Sequence, residues 1–164
     1  MQTQELIQKY SLKCSKFMDL YGINIHYSDE GSGDVILLLH GVFSSLHTFN
    51  KWAENLCKSY RVIRIDLPGF GLTGPSIDNE YGMDLYIGYI RKFMDNLGID
   101  KFHIGGNSLG GWIAWEFAVA HEERINKMVL VNAAGYVSGG NYPLPFVIAQ
   151  TPVLRQVFNY EIVP

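Results

Sequence analysis

Phe102-His-Ile-Gly-Gly-Asn-Ser108-Leu-Gly-Gly-Trp-Ile-Ala-Trp115 joins a strand-like apolar run to a helix-like one through a serine set between glycines. Within it, Gly106-Asn107-Ser108-Leu109-Gly110 fits the G-x-S-x-G pattern. In that pattern a serine occupies the tip of a sharp, strained turn with its hydroxyl exposed. Glycine is needed two residues to either side, because a side chain there would collide with the neighbouring strand or helix where the turn closes. Three fixed small residues recur by chance in roughly one chain in twenty of this size. The flanking sequence therefore has to decide, and Ser108 is read from it as a nucleophile.

Working outward, Lys101 to Ile104 is a strand into the turn, Leu109 to Ala120 a mostly apolar helix out of it, and Lys127 to Val131 a further buried strand. Upstream, Val35 to Leu39 is a continuous apolar run, too short for a helix, which suits a strand buried on both faces of a parallel sheet. Phe49 to Leu56 has helical spacing, and Arg61 to Ile65 reads as a strand. Met83 to Leu97 carries a wide apolar stripe of helical period, with Gly98 as its stop. Lys16 to Leu20 and Ile23 to Tyr27 flank a Tyr21-Gly22 turn, a spacing that favours an antiparallel hairpin, and Asp29 to Gly33 reads as the turn cluster that ends it. Alternating strands and helices argue a mostly parallel, doubly wound α/β sheet. Residues 1–15 form a peripheral arm, 16–135 the sheet and its helices, and 136–164 a region rich in Gly, Pro and aromatics.

The chain has 164 residues and a net charge of -3. Mixed charge signs without a basic face give no footprint for nucleic acid or an anionic membrane. No window approaches a membrane span and the polar N-terminus has no apolar signal segment, so a cytoplasmic location is expected. Cys14 and Cys57 fall in no metal-ligand or disulfide-framework spacing and are read as idle thiols. His103-Ile-Gly-Gly-Asn-Ser-Leu-Gly-Gly111 lacks the Lys-Ser/Thr of a phosphate-binding loop, so nucleotide binding is not expected.

In open α/β sheets ligands lie beyond the carboxyl ends of the strands, so the loops after Leu39, Ile65, Gly105 and Val131 should converge on one crevice. An acyl-transfer serine needs N–H donors aimed at the oxygen that gains charge. The Leu109 amide at a helix start can be one donor and the Val42 amide, in the loop after Leu39, the other. Phe43 and Trp112 are candidate pocket walls, with core packing as the alternative for each. His26 and His47 are read as solvated or at loop edges, and His103 and His121 as hydrogen-bonded structural residues.

Three motifs occur in order, each after a strand: His40-Gly41, then Asp66-x-Pro-Gly69-x-Gly71, then Gly106-Asn-Ser108-Leu-Gly110. In this the chain resembles the N-terminal portion of an α/β-hydrolase, over roughly Phe17 to Gly135, nearest in flavour to carboxylesterases and carbon-carbon bond hydrolases. The resemblance implies Ser108 as nucleophile, His40 and Gly41 as structural residues of the oxyanion loop, and Asp66 as a brace for the Gly69-Phe70-Gly71 loop. It implies a small-molecule acyl substrate, an ester or thioester first and a carbon-carbon bond in a diketone-like acid second. No metal or organic cofactor is implied. A serine at this position sets the chain apart from dehalogenases and epoxide hydrolases, which resemble the family but use a carboxylate there. Residues 136–164 would begin the cap.

The family's later Asp or Glu and His are not in this sequence where the family has them. A serine hydroxyl is a weak nucleophile without a positioned base. The expectation is therefore a chain truncated before the last strands, inactive or weakly active alone. A missing C-terminal segment, or self-association, would then cover an open sheet edge at Lys127 to Val131. A non-catalytic fragment or hydrolase-fold binding module is the alternative.

Overall fold

The computed structural model describes residues 3–78 and 81–136. The expected start of a cap thus lies, but for Tyr136, outside the described residues. A short helix α1 (Thr3–Tyr10) precedes strands β1 (Ser15–Leu20), β2 (Ile23–Gly31) and β3 (Val35–Leu39). A 3-10 turn (Leu46–Phe49) runs into α2 (Asn50–Leu56), followed by β4 (Arg61–Ile65), α3 (Met83–Asn96), β5 (Phe102–Asn107), α4 (Leu109–Ala120) and β6 (Ile125–Val131). The six strands form one sheet in the order β1-β2-β4-β3-β5-β6. β1 with β2 and β2 with β4 are antiparallel, whereas β4, β3, β5 and β6 run parallel. This is the mostly parallel α/β-hydrolase sheet with an N-terminal hairpin expected from the sequence.

Strand alternation sends side chains to two cores. Leu37, Leu39, Ile63 and Ile65 pack with Ile90, Phe93, Ile113 and Phe117 of α3 and α4. On the other face Leu38 and Val62 meet Phe49 and Ala53 under α2. The apolar run of β3 is apolar at every position because it feeds both. Gly98, just past α3, takes φ +67°, the left-handed conformation that closes a helix without a side-chain penalty.

Strand ends differ from the sequence reading: β5 runs on to Asn107 and β6 starts at Ile125. β2 does not end at Asp29; it continues to Gly31, because Tyr27 to Gly31 pair with β4 in register and Arg61 grips Asp29 through two hydrogen bonds of 2.8 and 2.9 Å. β6 is exposed through most of its length, as the open edge expected at Lys127 to Val131: Met128, Val129 and Leu130 are 41, 52 and 43% accessible at the edge of the sheet. Beside it, β3, β5 and β6 and the end of α2 line an apolar trough of about 460 Å³ that includes Ile36, Leu38, Leu56, Tyr60, His103 and Val129.

Among the described residues no helix is long and apolar enough to cross a membrane. Burial pushes the Cys14 thiol up to about 11, helped by its hydrogen bond to Glu30, and Cys57 is raised for the same first reason. Both thiols are free and predominantly protonated.

Candidate active site

β5 ends at Asn107 and α4 begins at Leu109, so the reversal between them falls on one residue. Ser108 takes φ 52° and ψ −115°, a conformation that costs an L-residue about 1–3 kcal/mol. Hydrogen bonds on both sides hold it there. Its N–H donates to Val131 O (3.1 Å), and its carbonyl accepts from Trp112 N–H (3.0 Å) and Ala134 N–H (2.9 Å). The flanking glycines are required by contact. A Cβ on Gly106 would stand 2.1 Å from Gly110 O, and one on Gly110 would stand 2.0 Å from Leu39 O.

The loop after β3 lies against this turn. A Cβ on Gly41 would be 3.0 Å from the Ser108 Cβ, which puts the backbone leading into Val42 beside the serine. Leu109 is the first residue of α4, so its N–H has no partner within the helix and lies at the positive end of the helix dipole. The loop after β3 and the start of α4 thus meet at Ser108.

His40 is fully buried. Its Nδ1–H donates to the Gly41 carbonyl (2.7 Å), which leaves Nε2 to accept from Leu67 N–H (3.1 Å). Burial holds its imidazole below the ordinary value, against the opposing pull of the Gly41 hydrogen bond and the charge of Asp66. A neutral ring with both nitrogens engaged is a fastener of the loop.

Asp66, 1% exposed, accepts Leu46 N–H on Oδ1 (2.7 Å), and Leu72 N–H (2.8 Å) and His26 Nδ1–H (2.7 Å) on Oδ2. Burial alone would raise its carboxyl, but these hydrogen bonds outweigh burial and hold it below its usual range. Gly71, at φ +55°, lets the loop close over this carboxylate: a Cβ there would sit 2.1 Å from Oδ2. Gly69 takes φ +87° in the same loop.

His26 corrects the sequence reading. It is fully buried, not solvated, because it faces the sheet interior from β2 and binds both Asp66 and the Ser15 hydroxyl (Nε2 to Oγ, 2.7 Å). His103 also departs from it: its Nδ1 is buried with no hydrogen-bond partner, and its ring meets Tyr60 edge-on where the trough is open. His47 sits at a loop edge as expected, donating to Tyr10 O (2.9 Å), and His121 caps α4 beside Phe117. These are all five histidines of the sequence, and none hydrogen-bonds the Ser108 hydroxyl.

Of the pocket candidates, Phe43 is 68% exposed on the loop after β3 at φ 54°. Trp112 packs partly against the main core, and its indole covers Gly135, where a Cβ would lie 2.5 Å away. None of three cavities formed by the described residues borders Ser108. Asn107 donates to Val131 O (3.2 Å), as suits a turn residue. Among the described residues no three His, Cys, Asp or Glu side chains group to hold a metal.

A sheet of this order with a serine elbow after its fifth strand defines an α/β-hydrolase architecture. The family model of the alpha/beta hydrolase fold matches residues 34–161, and the chain belongs to that family. It is 32% identical over 131 residues to a 2-hydroxy-6-oxo-6-phenylhexa-2,4-dienoate hydrolase of Comamonas testosteroni, a match covering 77% of this chain and 46% of the relative. It is 31% identical over 151 residues to the dihydrolipoyllysine-residue acetyltransferase component of the acetoin cleaving system of Cupriavidus necator, covering 87% of this chain and 40% of that one. An epoxide hydrolase of Bacillus megaterium superposes with a TM-score of 0.68 at 26% identity, over 72% of this chain and 42% of that one. The chain spans less than half the length of these relatives.

Proposed function

We propose that this chain carries the nucleophile and oxyanion half of a serine hydrolase that works through an acyl-Ser108 intermediate. The observation that carries the reading is the Ser108 backbone, strained at φ 52° between two glycines that no larger residue could replace, at the start of α4. Strain of this kind persists where the surroundings over-determine it and clusters at reactive sites. Ser108 Oγ attacks a carbonyl carbon, the Leu109 and Val42 amides receive the oxyanion, and the leaving group departs as the carbonyl reforms. No histidine of the sequence is placed to take the serine proton, so the base and the carboxylate that orients it would come from polypeptide outside this sequence. The isolated chain would then be acylated slowly and deacylated more slowly still.

An ester or thioester is the simplest substrate. The resemblance to dienoate hydrolases favours a second: a 2-hydroxy-6-oxo-dienoate attacked at its 6-oxo carbon, with cleavage of the adjacent carbon-carbon bond. A serine where epoxide hydrolases resembling the family use a carboxylate speaks against ring opening through an alkyl ester. The test presents wild type and Ser108→Ala with an ester series and a 2-hydroxy-6-oxo-dienoate, with imidazole added as a diffusible base. Acyl adducts are followed by intact mass. An adduct on wild type alone is expected, and the substrate that forms it fastest names the class. Equal adducts on both proteins would refute the nucleophile.

A further inference from the structure

We infer that Ser15 and His26 are positioning residues for the oxyanion loop, acting through Asp66 and tying the N-terminal arm to residues 40–46. The inference rests on the proposed role of that loop as an oxyanion donor. Its basis is a continuous hydrogen-bonded chain. Leu12 N–H donates to Ser15 Oγ (2.8 Å), Ser15 Oγ lies 2.7 Å from His26 Nε2, and His26 Nδ1 lies 2.7 Å from Asp66 Oδ2. Asp66 Oδ1 then accepts Leu46 N–H (2.7 Å).

The directions of these bonds follow from the groups. The Asp66 carboxylate only accepts, so Nδ1 carries a proton. In the neutral ring Nε2 is then an acceptor, and the Ser15 hydroxyl, whose oxygen already receives the Leu12 amide, supplies its own hydrogen to it. Among the described residues no lysine or arginine pairs with Asp66, so its buried charge depends on His26 and on the Leu46 and Leu72 amides.

Both ends of the oxyanion loop are fastened to consecutive residues. His40 accepts from Leu67 N–H at one end, and Leu46 donates to Asp66 at the other. Turning the Asp66 carboxylate would release the Leu46 end, and His26 is the side chain that stops it turning. A second tie runs beside the first, from His47 Nε2–H on the same segment to Tyr10 O at the end of α1. The Ser15-His26-Asp66 set has the residue types of a catalytic triad but not its exposure. His26, the base of such a set, is wholly buried, Ser15 is half-buried, and of the three residues only Asp66 borders one of the three cavities.

The test is site-resolved amide hydrogen exchange on the 15N-labelled chain, without substrate, for wild type, His26→Asn, His26→Gln and Ser15→Ala. The Asn amide nitrogen falls where Nδ1 stands and can keep the bond to Asp66, whereas the Gln amide reaches toward Nε2 and cannot. His26→Gln is expected to speed exchange at Leu46 and Leu72 by about tenfold relative to Leu37 and Ile104 of the central strands. His26→Asn should leave those two amides within about twofold of wild type, and Ser15→Ala should fall between. Unchanged Leu46 exchange in His26→Gln, an equal rise across the central strands, or equal damage by both His26 variants would overturn the inference. Failure of Ser108 to accept acyl groups, with this exchange pattern intact, would instead count against the proposed function.

Discussion

At Gly106 and Gly110 the demand of the turn is purely steric, since backbone carbonyls occupy the space a methyl group would need. Gly110→Ala is expected to lower unfolding free energy by about 3 kcal/mol in urea titrations, whereas Gly82→Ala, whose added methyl meets nothing within 4 Å, should cost far less. Asp66→Asn keeps the shape but removes the charge that three donors share, and should cost about 2–3 kcal/mol by the same measurement. The Ser108 turn and its glycines were legible in the sequence because their contacts lie within one turn or against one neighbouring loop. His26 was not. Its partner Asp66 lies 40 positions away, and nothing local in Ile-His-Tyr distinguishes an inward histidine from one at a loop edge. The absent partner of His103 Nδ1 was equally hidden, since a strand pattern gives the face of a residue but not what stands opposite it.

At the scale of elements, hydrophobic periodicity located β3, β4, α3 and α4 to within a residue or two of their observed ends. It erred where pairing decides the length of a strand: β2 runs on to Gly31 because β4 lies alongside, a fact no local pattern contains. β6 is the open sheet edge expected at Lys127 to Val131. Its apolar sequence signals a strand built to be covered, while Met128, Val129 and Leu130 are exposed, Val129 on the trough under α2. We propose that this edge drives association of the chain with a second copy of itself. Val129→Lys, which sets a charge into that surface, should reduce concentration-dependent light scattering several-fold while leaving circular dichroism unchanged. Scattering that does not respond would place the association elsewhere.

For the whole molecule, the two buried fasteners of the loop after β3 set a common response to acid. His40 is held below its ordinary value of 6.5 in the folded state, so the unfolded chain binds more protons as the pH falls beneath that value, and stability declines. Asp66 is held below 3.8, so its contribution is complete above that pH and is lost as the pH falls through its lower folded value. Urea unfolding midpoints should therefore fall in two stages on acidification, and Asp66→Asn should flatten the lower one. The same frame holds the serine between the β3 loop and the start of α4. The most direct measurement of its role is peptide mapping after reaction with a fluorophosphonate, with and without added imidazole. A single adduct at Ser108, formed faster with imidazole and absent from Ser108→Ala, is expected. An adduct at Ser15, which already stands in a Ser-His-Asp chain, or no adduct at Ser108 under either condition, would contradict it.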